Sequence, residues 1–334
     1  MRFPVQNIFF VAPRLIALMA ATLGTLRAGE PPTMLLLDAA RANGGRVVAI
    51  GERGTIIYSQ DNGRTWNLAH ADRERMAVHS AEQRDASLPG QPAAAEPTLT
   101  AVSFAPPENR FGWAVGHDAL ILATNEGGGS WQKQWQGENL SDSFLDVLAL
   151  DTRHVIAVGA YGLFLSTADG GKTWVRRKIL DEDAHLNRLT RGPTGTLYLA
   201  GEHGTLLRSV DGGAKWSRIA APYDGSFYGI LPLDRRTLIA HGLRGRLFRS
   251  TDDGATWEPI VTPQPVLLAT ALQLQSNTLL IAGQSRGLLV SRDYGHKFSA
   301  WDVPLATAVA KLIELPDGSV LAVGEAGATL LPKP

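Results

Sequence analysis

One sentence of about sixteen residues, repeated along the chain, limits what this protein can fold into. In its cleanest form it reads GEHGTLLRSVDGGAKW, from Gly201 to Trp216. A strand ends in Gly-x-x-Gly, a second strand follows, then a tight polar turn, then a Trp that opens a third strand. The turn box recurs as SQDNGRTW from Ser59, TNEGGGSW from Thr124 and TADGGKTW from Thr167. It recurs again as SVDGGAKW from Ser209, STDDGATW from Ser250 and SRDYGHKF from Ser291. Successive starts lie 65, 43, 42, 41 and 41 residues apart. A steady period near 42 that carries several strands means stacked sheets, and the expected architecture is a propeller with one blade per repeat.

Eight residues before each box stands a glycine: Gly51, Gly116, Gly159, Gly201, Gly242 and Gly283. A seventh, Gly324, opens GEAGATLL with no box after it. The count predicts an all-β, seven-bladed propeller over residues 29–334. Each full blade parses as four strands, in the third blade FLDVLAL, HVIAVGA, GLFLST and TWVRRK. These are alternating or continuous apolar runs of strand length. The seventh blade supplies only LIEL, SVLAVGE and ATLL. An open sheet edge invites association, and the residues before Met34 are expected to close it.

The box residues have structural work to do. An Asp or Ser side chain ahead of a glycine bonds nearby backbone N–H groups and stabilises the turn. The glycine supplies a positive φ without a Cβ penalty. The Trp sets a large apolar surface between neighbouring blades. The box set is Asp61 with Trp66, Glu126 with Trp131, Asp169 with Trp174, Asp211 with Trp216, Asp252 with Trp257, and Asp293, where Phe298 replaces the Trp. Each box brings one or two carboxylates, too few oxygens for a calcium site, so no metal is expected.

Balanced charge, 32 Lys+Arg against 32 Asp+Glu, gives no electrostatic reason for nucleic acid or an anionic membrane surface. The chain has no cysteine, which excludes disulfides, zinc-thiolate sites and thiol nucleophiles. Phosphate-binding glycine loops, a Ser-His-Asp arrangement and HExxH are absent, and no cofactor is expected. The first 28 residues read as a signal peptide. Arg2 and Arg14 precede a 12-residue apolar run from Leu15 to Leu26, with Ala28 as the cleavage position. The alternative is an uncleaved anchor over Ile8 to Leu26. Export places the mature chain in the periplasm or outside. Residues 67–97, poor in large apolar side chains, read as a mobile inserted loop between the first two blades.

In a four-stranded blade the Gly-x-x-Gly turns share one face with the connections between blades, and the boxes lie on the other. The first set is rich in charge, His and Tyr and changes from blade to blade. Variation at a repeated solvent-facing turn is where partner recognition is written. The candidate partner-binding residues are Arg53, His117, Asp118, Tyr161, Arg188, Glu202, His203, Arg244 and Arg286. The inserted loop is expected to emerge on this face, over the channel mouth beside Arg53 and His117.

The box resembles the Asp-box, or bacterial neuraminidase, repeat. Joined to Gly-x-x-Gly at a spacing near 42, from Leu35 onward, it is similar to the photosystem II stability/assembly factor family. The resemblance implies a chaperone-like scaffold rather than an enzyme, with arginines forming a patch against the client. By repeat position that patch is Arg53, Arg244 and Arg286, with Arg188 and Arg191. Bacteria without a photosystem carry relatives, so the resemblance does not name the client. A protein in the cell envelope is expected, a membrane transporter or complex among the candidates, bound by a monomer. The rival reading is a sialidase-like glycoside hydrolase or a glycan-binding propeller. A sialidase needs an arginine triad with Tyr, Glu and Asp. The usual Arg-Ile-Pro motif is absent, and only Arg41 and Arg46 lie between Leu35 and Ile50.

Overall fold

The apolar runs form strands because each must be buried on both sheet faces. In the second strand of every blade all five residues are buried, from Val47–Gly51 in the first blade to Val320–Gly324 in the last. A computed structural model describes residues 34–71, 96–285, 287–305 and 307–334. It contains seven sheets arranged as the blades of a propeller, antiparallel except for one strand added to the second, with no α-helix among the described residues. The first strand of each sheet lines the central channel: Leu36–Arg41, Leu99–Phe104, Phe144–Ala149, Leu186–Arg191, Phe227–Pro232, Leu268–Gln273 and Val309–Glu314. The seventh sheet has three strands among the described residues, ending at Gly327–Leu331. The signal peptide and the closing N-terminal segment lie outside the described residues.

The glycine that ends every second strand answers to a close approach of backbones. Each inner strand carries a bulge between its first and third residues, which presses the preceding carbonyl against that glycine. A Cβ on Gly51 would lie 2.0 Å from the Leu35 oxygen, and one on Gly159 2.1 Å from that of Ser143. No backbone atom can be displaced cheaply from there.

The boxes fold as the sequence implies. Ser59 Oγ donates to Asp61 Oδ1 (2.8 Å) and accepts the Gly63 N–H (2.8 Å), while Thr65 donates its N–H and hydroxyl to the same carboxylate (2.8 and 2.6 Å). The Thr167–Asp169–Thr173 and Ser250–Asp252–Thr256 boxes repeat this set. In the Asp211 and Asp293 boxes a lysine contributes its N–H alone. Glu126 does not take the part of the Asp. Its longer side chain makes none of these bonds; Thr124 Oγ1 still accepts the Gly128 N–H (3.1 Å), and the carboxylate's part is taken by Arg46, which donates to the Glu126 and Gly127 carbonyls, and by Arg110, which donates to that of Asn125.

Each box aromatic packs back onto the preceding blade. Trp131 joins the core of the first blade, the half-buried Trp174, Trp216 and Trp257 join those of the second, third and fourth, and Phe298 that of the fifth. Trp66 closes the ring, set among Ile313, Leu321 and Val323 of the seventh blade. Each fully buried side chain of this size stabilises the stack by about 1.5–3 kcal/mol.

The start of the inserted segment corrects the sequence reading. Asn67–Leu68 is the outer strand of the first blade, and His70–Ala71 then crosses to pair in parallel with Ser130 and Trp131 of the second blade, as its fifth strand. Residues 72–95 lie outside the described residues, and with them the expected position over the channel mouth.

Candidate functional site

The Gly-x-x-Gly turns are hairpin turns of a demanding kind. A two-residue turn that matches strand twist requires positive φ at both central residues, which favours Asn and Gly. Here the first of the positive-φ positions is held by Arg53 (53°), Asp118 (55°), Tyr161 (54°), His203 (52°), Arg244 (55°) and Ser285 (51°). In five of these six turns the next described residue is also left-handed: Gly54, Ala119, Gly162, Gly204 and Gly245. Backbone strain of this sort costs on the order of 1–2 kcal/mol per side chain. Six blades therefore project unlike side chains from the same backbone shape. Each turn is also tied down. Its first N–H donates to the segment entering its own inner strand, as in Glu202 N to His185 O (3.0 Å), and in the first five blades its glycine or alanine donates to the segment entering the next, as in Gly204 N to Gly225 O (2.9 Å).

Arg53, His117, His203 and Arg244 are exposed tips, and Asp118 is half-buried. Arg53 and Arg244 stand on the first and fifth blades, apart from one another around the mouth. Arg286 lies outside the described residues. Tyr161 and Glu202 come together. The Tyr161 ring, 70% exposed, meets the His185 ring edge-on with centroids 4.8 Å apart. Glu202 Oε2 accepts the His185 N–H (3.3 Å) and lies 3.6 Å from its Nδ1. Burial, and after it the Glu202 charge, holds the Tyr228 hydroxyl above the ordinary tyrosine range. Three blades thus share one aromatic and acidic corner of the rim.

Arg188 is not part of this rim. It lies in the channel, on the third residue of its inner strand, with its side chain 22% exposed. Arg191 sits at the other end of that strand, donating to the Leu150 carbonyl (3.1 Å). The expected five-arginine patch is therefore not assembled on one face.

Below the mouth the structure brings Arg188 together with three charged residues that the sequence does not single out, Asp38, Asp146 and Lys311. The residue just after the bulge is Asp38, Ala101, Asp146, Arg188, Gly229, Thr270 and Lys311 in the seven blades. The charged four line a cavity of about 400 Å³ in the channel. Asp38 and Asp146 are 1% and 3% exposed. Each accepts at Oδ2 an inner-strand N–H of the following blade, from Val102 (3.0 Å) and Leu189 (2.6 Å) respectively. Lys311 Nζ is 3.1 Å from Asp38 Oδ1, and Arg188 is 3.8 Å from Asp38 and 3.5 Å from Asp146. Burial pushes the Asp146 carboxyl up, against the pull of Arg188. Burial would lower Arg188, but Asp146 and Asp38 hold it above its ordinary value. At Gly229 the missing side chain leaves room for His241, whose Nδ1 meets the Leu268 carbonyl at 2.8 Å. Burial brings that imidazole down to about 4, so it is neutral. Superposing the repeats would have found the ring: its residue stands 13 positions before the strand-ending glycine in six blades and 15 in the second.

These features define a seven-bladed Asp-box propeller with one chemically varied face and a charged channel beneath it. In sequence it is similar to the photosystem II assembly factors. Residues 133–266 match the model of the photosynthesis system II assembly factor YCF48, and residues 57–68 that of the BNR/Asp-box repeat. The chain is 26% identical over 184 residues to the photosystem II stability/assembly factor HCF136 of Arabidopsis thaliana, covering 54% of this chain and 41% of that protein. It is 26% identical over 244 residues to the rice (Oryza sativa subsp. japonica) protein of the same name, covering 66% and 53%. The chain thus spans about half the length of the curated relatives it matches. A structure of YCF48 bound to a D1 peptide superposes with a TM-score of 0.69 at 20% identity, covering 92% of this chain and 96% of that one. At that identity the likeness speaks for the fold alone.

Proposed function

We propose that this protein is an exported, non-catalytic assembly factor that holds a segment of a client protein of the cell envelope against its Gly-x-x-Gly face. The observation that carries the reading is the set of six left-handed turn tips bearing Arg, Asp, Tyr, His, Arg and Ser. Glycine would occupy each tip without strain, so a repeat that keeps differing side chains there spends stability on surface chemistry. The relatives named as assembly factors support the class of activity, and the D1 peptide on YCF48 supports a client read as a peptide segment. The apolar run from Leu15 to Leu26, behind Arg2 and Arg14, supports export.

The test is capture of clients from envelope extracts by the full-length chain and by the variant Arg53→Glu/Tyr161→Ala/Arg244→Glu. The variant is expected to lose the captured proteins while its melting temperature falls by no more than a few degrees, from the lost Tyr161–His185 ring contact. Asp169→Ala/Asp211→Ala, on the box face, is expected to melt earlier and capture normally while folded. Equal capture by wild type and the face variant would overturn the site. Turnover of chromogenic glycosides that vanishes with Glu202→Gln would overturn the class.

A further inference from the structure

The seventh blade differs from the others in what seats it. Every other blade sends a box aromatic onto its predecessor, whereas the seventh packs on the sixth through Val309, Leu312, Val320, Ala322 and Leu331 with no box of its own. Four charges sit in the channel at the ring position after the bulge, while Ala101, Gly229 and Thr270 fill the same position in three other blades. Charge is therefore not needed merely to occupy the space. Removing a carboxylate from water is costly unless it is paired and hydrogen-bonded; here each accepts one backbone N–H at Oδ2, and the buried Asp38 Oδ1, without a hydrogen bond, is met by the Lys311 and Arg188 charges.

We propose that this ring is a clasp that holds the propeller closed across its channel, with Asp38 as the keystone. One Asp38 carboxylate, from the first blade, takes the Val102 N–H of the second, faces Lys311 of the seventh and faces Arg188 of the fourth. Arg188 carries the link on to Asp146 of the third. Five of seven blades meet through four side chains whose formal charges cancel. Apolar contacts between blades are tolerant of slip, whereas an ion pair is specific in sign and position. Lys311 finds its carboxylate only when the seventh blade is seated beside the first. Glu314 extends the hold on the seventh blade, accepting the Gln275 N–H of the sixth (3.0 Å).

Hydrogen exchange of the full-length chain, read blade by blade, tests the clasp. Lys311→Met keeps the length and apolar stem of the side chain and removes its charge. It is expected to speed exchange in Val320–Gly324 by about tenfold, with Leu238–Gly242 of the fifth blade unchanged. Lys311→Arg is expected to restore protection. Asp38→Asn combined with Lys311→Met should be no worse than Asp38→Asn alone, because Asp38→Asn already removes the ion pair that Lys311 makes. If Asp38→Asn does not fold, the comparison of Lys311→Met with Lys311→Arg decides alone. Unchanged exchange in the seventh blade, an equal rise in all blades, or fully additive single effects would overturn the proposal.

Discussion

Replacing Arg244 by glycine should make this protein more stable. Arg244 has φ 55° at the tip of the fifth blade's hairpin, and it is exposed. The left-handed conformation costs a residue with a Cβ about 1–2 kcal/mol, and glycine removes that strain. Against this stands the greater freedom of glycine in the unfolded chain, about 0.5–1 kcal/mol. The net gain is about 0.5–1 kcal/mol, and Arg53 (φ 53°), on a distant blade, should add independently. The pair Arg53→Gly/Arg244→Gly is therefore expected to gain about 1–2 kcal/mol, a rise in melting temperature of a few degrees for a chain of this size. Equilibrium denaturation in urea measures the free energy, with the slope checked for constancy. Tyr161→Gly should gain less, since it also loses the edge-on ring contact with His185, the kind of pair worth about 0.5–1.5 kcal/mol. A loss of stability in the Arg53/Arg244 pair would refute the reasoning. It would mean that these arginines are retained for contacts within the fold, and the argument for a recognition face would lose its main support.

Gly159→Ala, although also a glycine change in a strand-ending turn, should have the opposite sign. Its Cβ would stand 2.1 Å from the Ser143 oxygen, and a loss of about 3 kcal/mol or more is expected in the same denaturation assay. Acid should weaken the boxes. Burial raises Asp61, but the combined bonds from Thr65, Ser59 and Arg64 outweigh it and bring the carboxyl down to about 2. Asp252 is brought to about 2 by the Thr256 hydroxyl, then by the Thr256 N–H and Ser250. A carboxyl lowered on folding contributes stability that is complete above the unfolded value near 4 and is lost as pH falls through the folded value. Melting temperature should thus drop between about pH 4 and pH 2, and less steeply in Asp61→Asn/Asp252→Asn.

The blade number, the box turns and the face on which the Gly-x-x-Gly tips stand were legible in the chain because their causes are local. The box is a set of bonds between residues two to four positions apart, such as Thr65 to Asp61, and a local cause repeats wherever its residues repeat. Glu126 marks the limit, since nothing near it in sequence shows that Arg46, 80 residues away, holds its turn. The strand-ending glycines were visible as a pattern, but the carbonyl that excludes a Cβ belongs to the residue entering the neighbouring strand, Leu35 for Gly51 and Ser143 for Gly159. The fifth strand of the second blade appeared only when His70 met Ser130. Arg188 reads like any strand arginine and is placed in the channel only by the bulge before it. The contacts that define the channel join residues far apart in the chain, Asp38 with Lys311 and with Arg188. They come into reach only when seven sheets, each satisfied by its own short-range pattern, have closed into a ring.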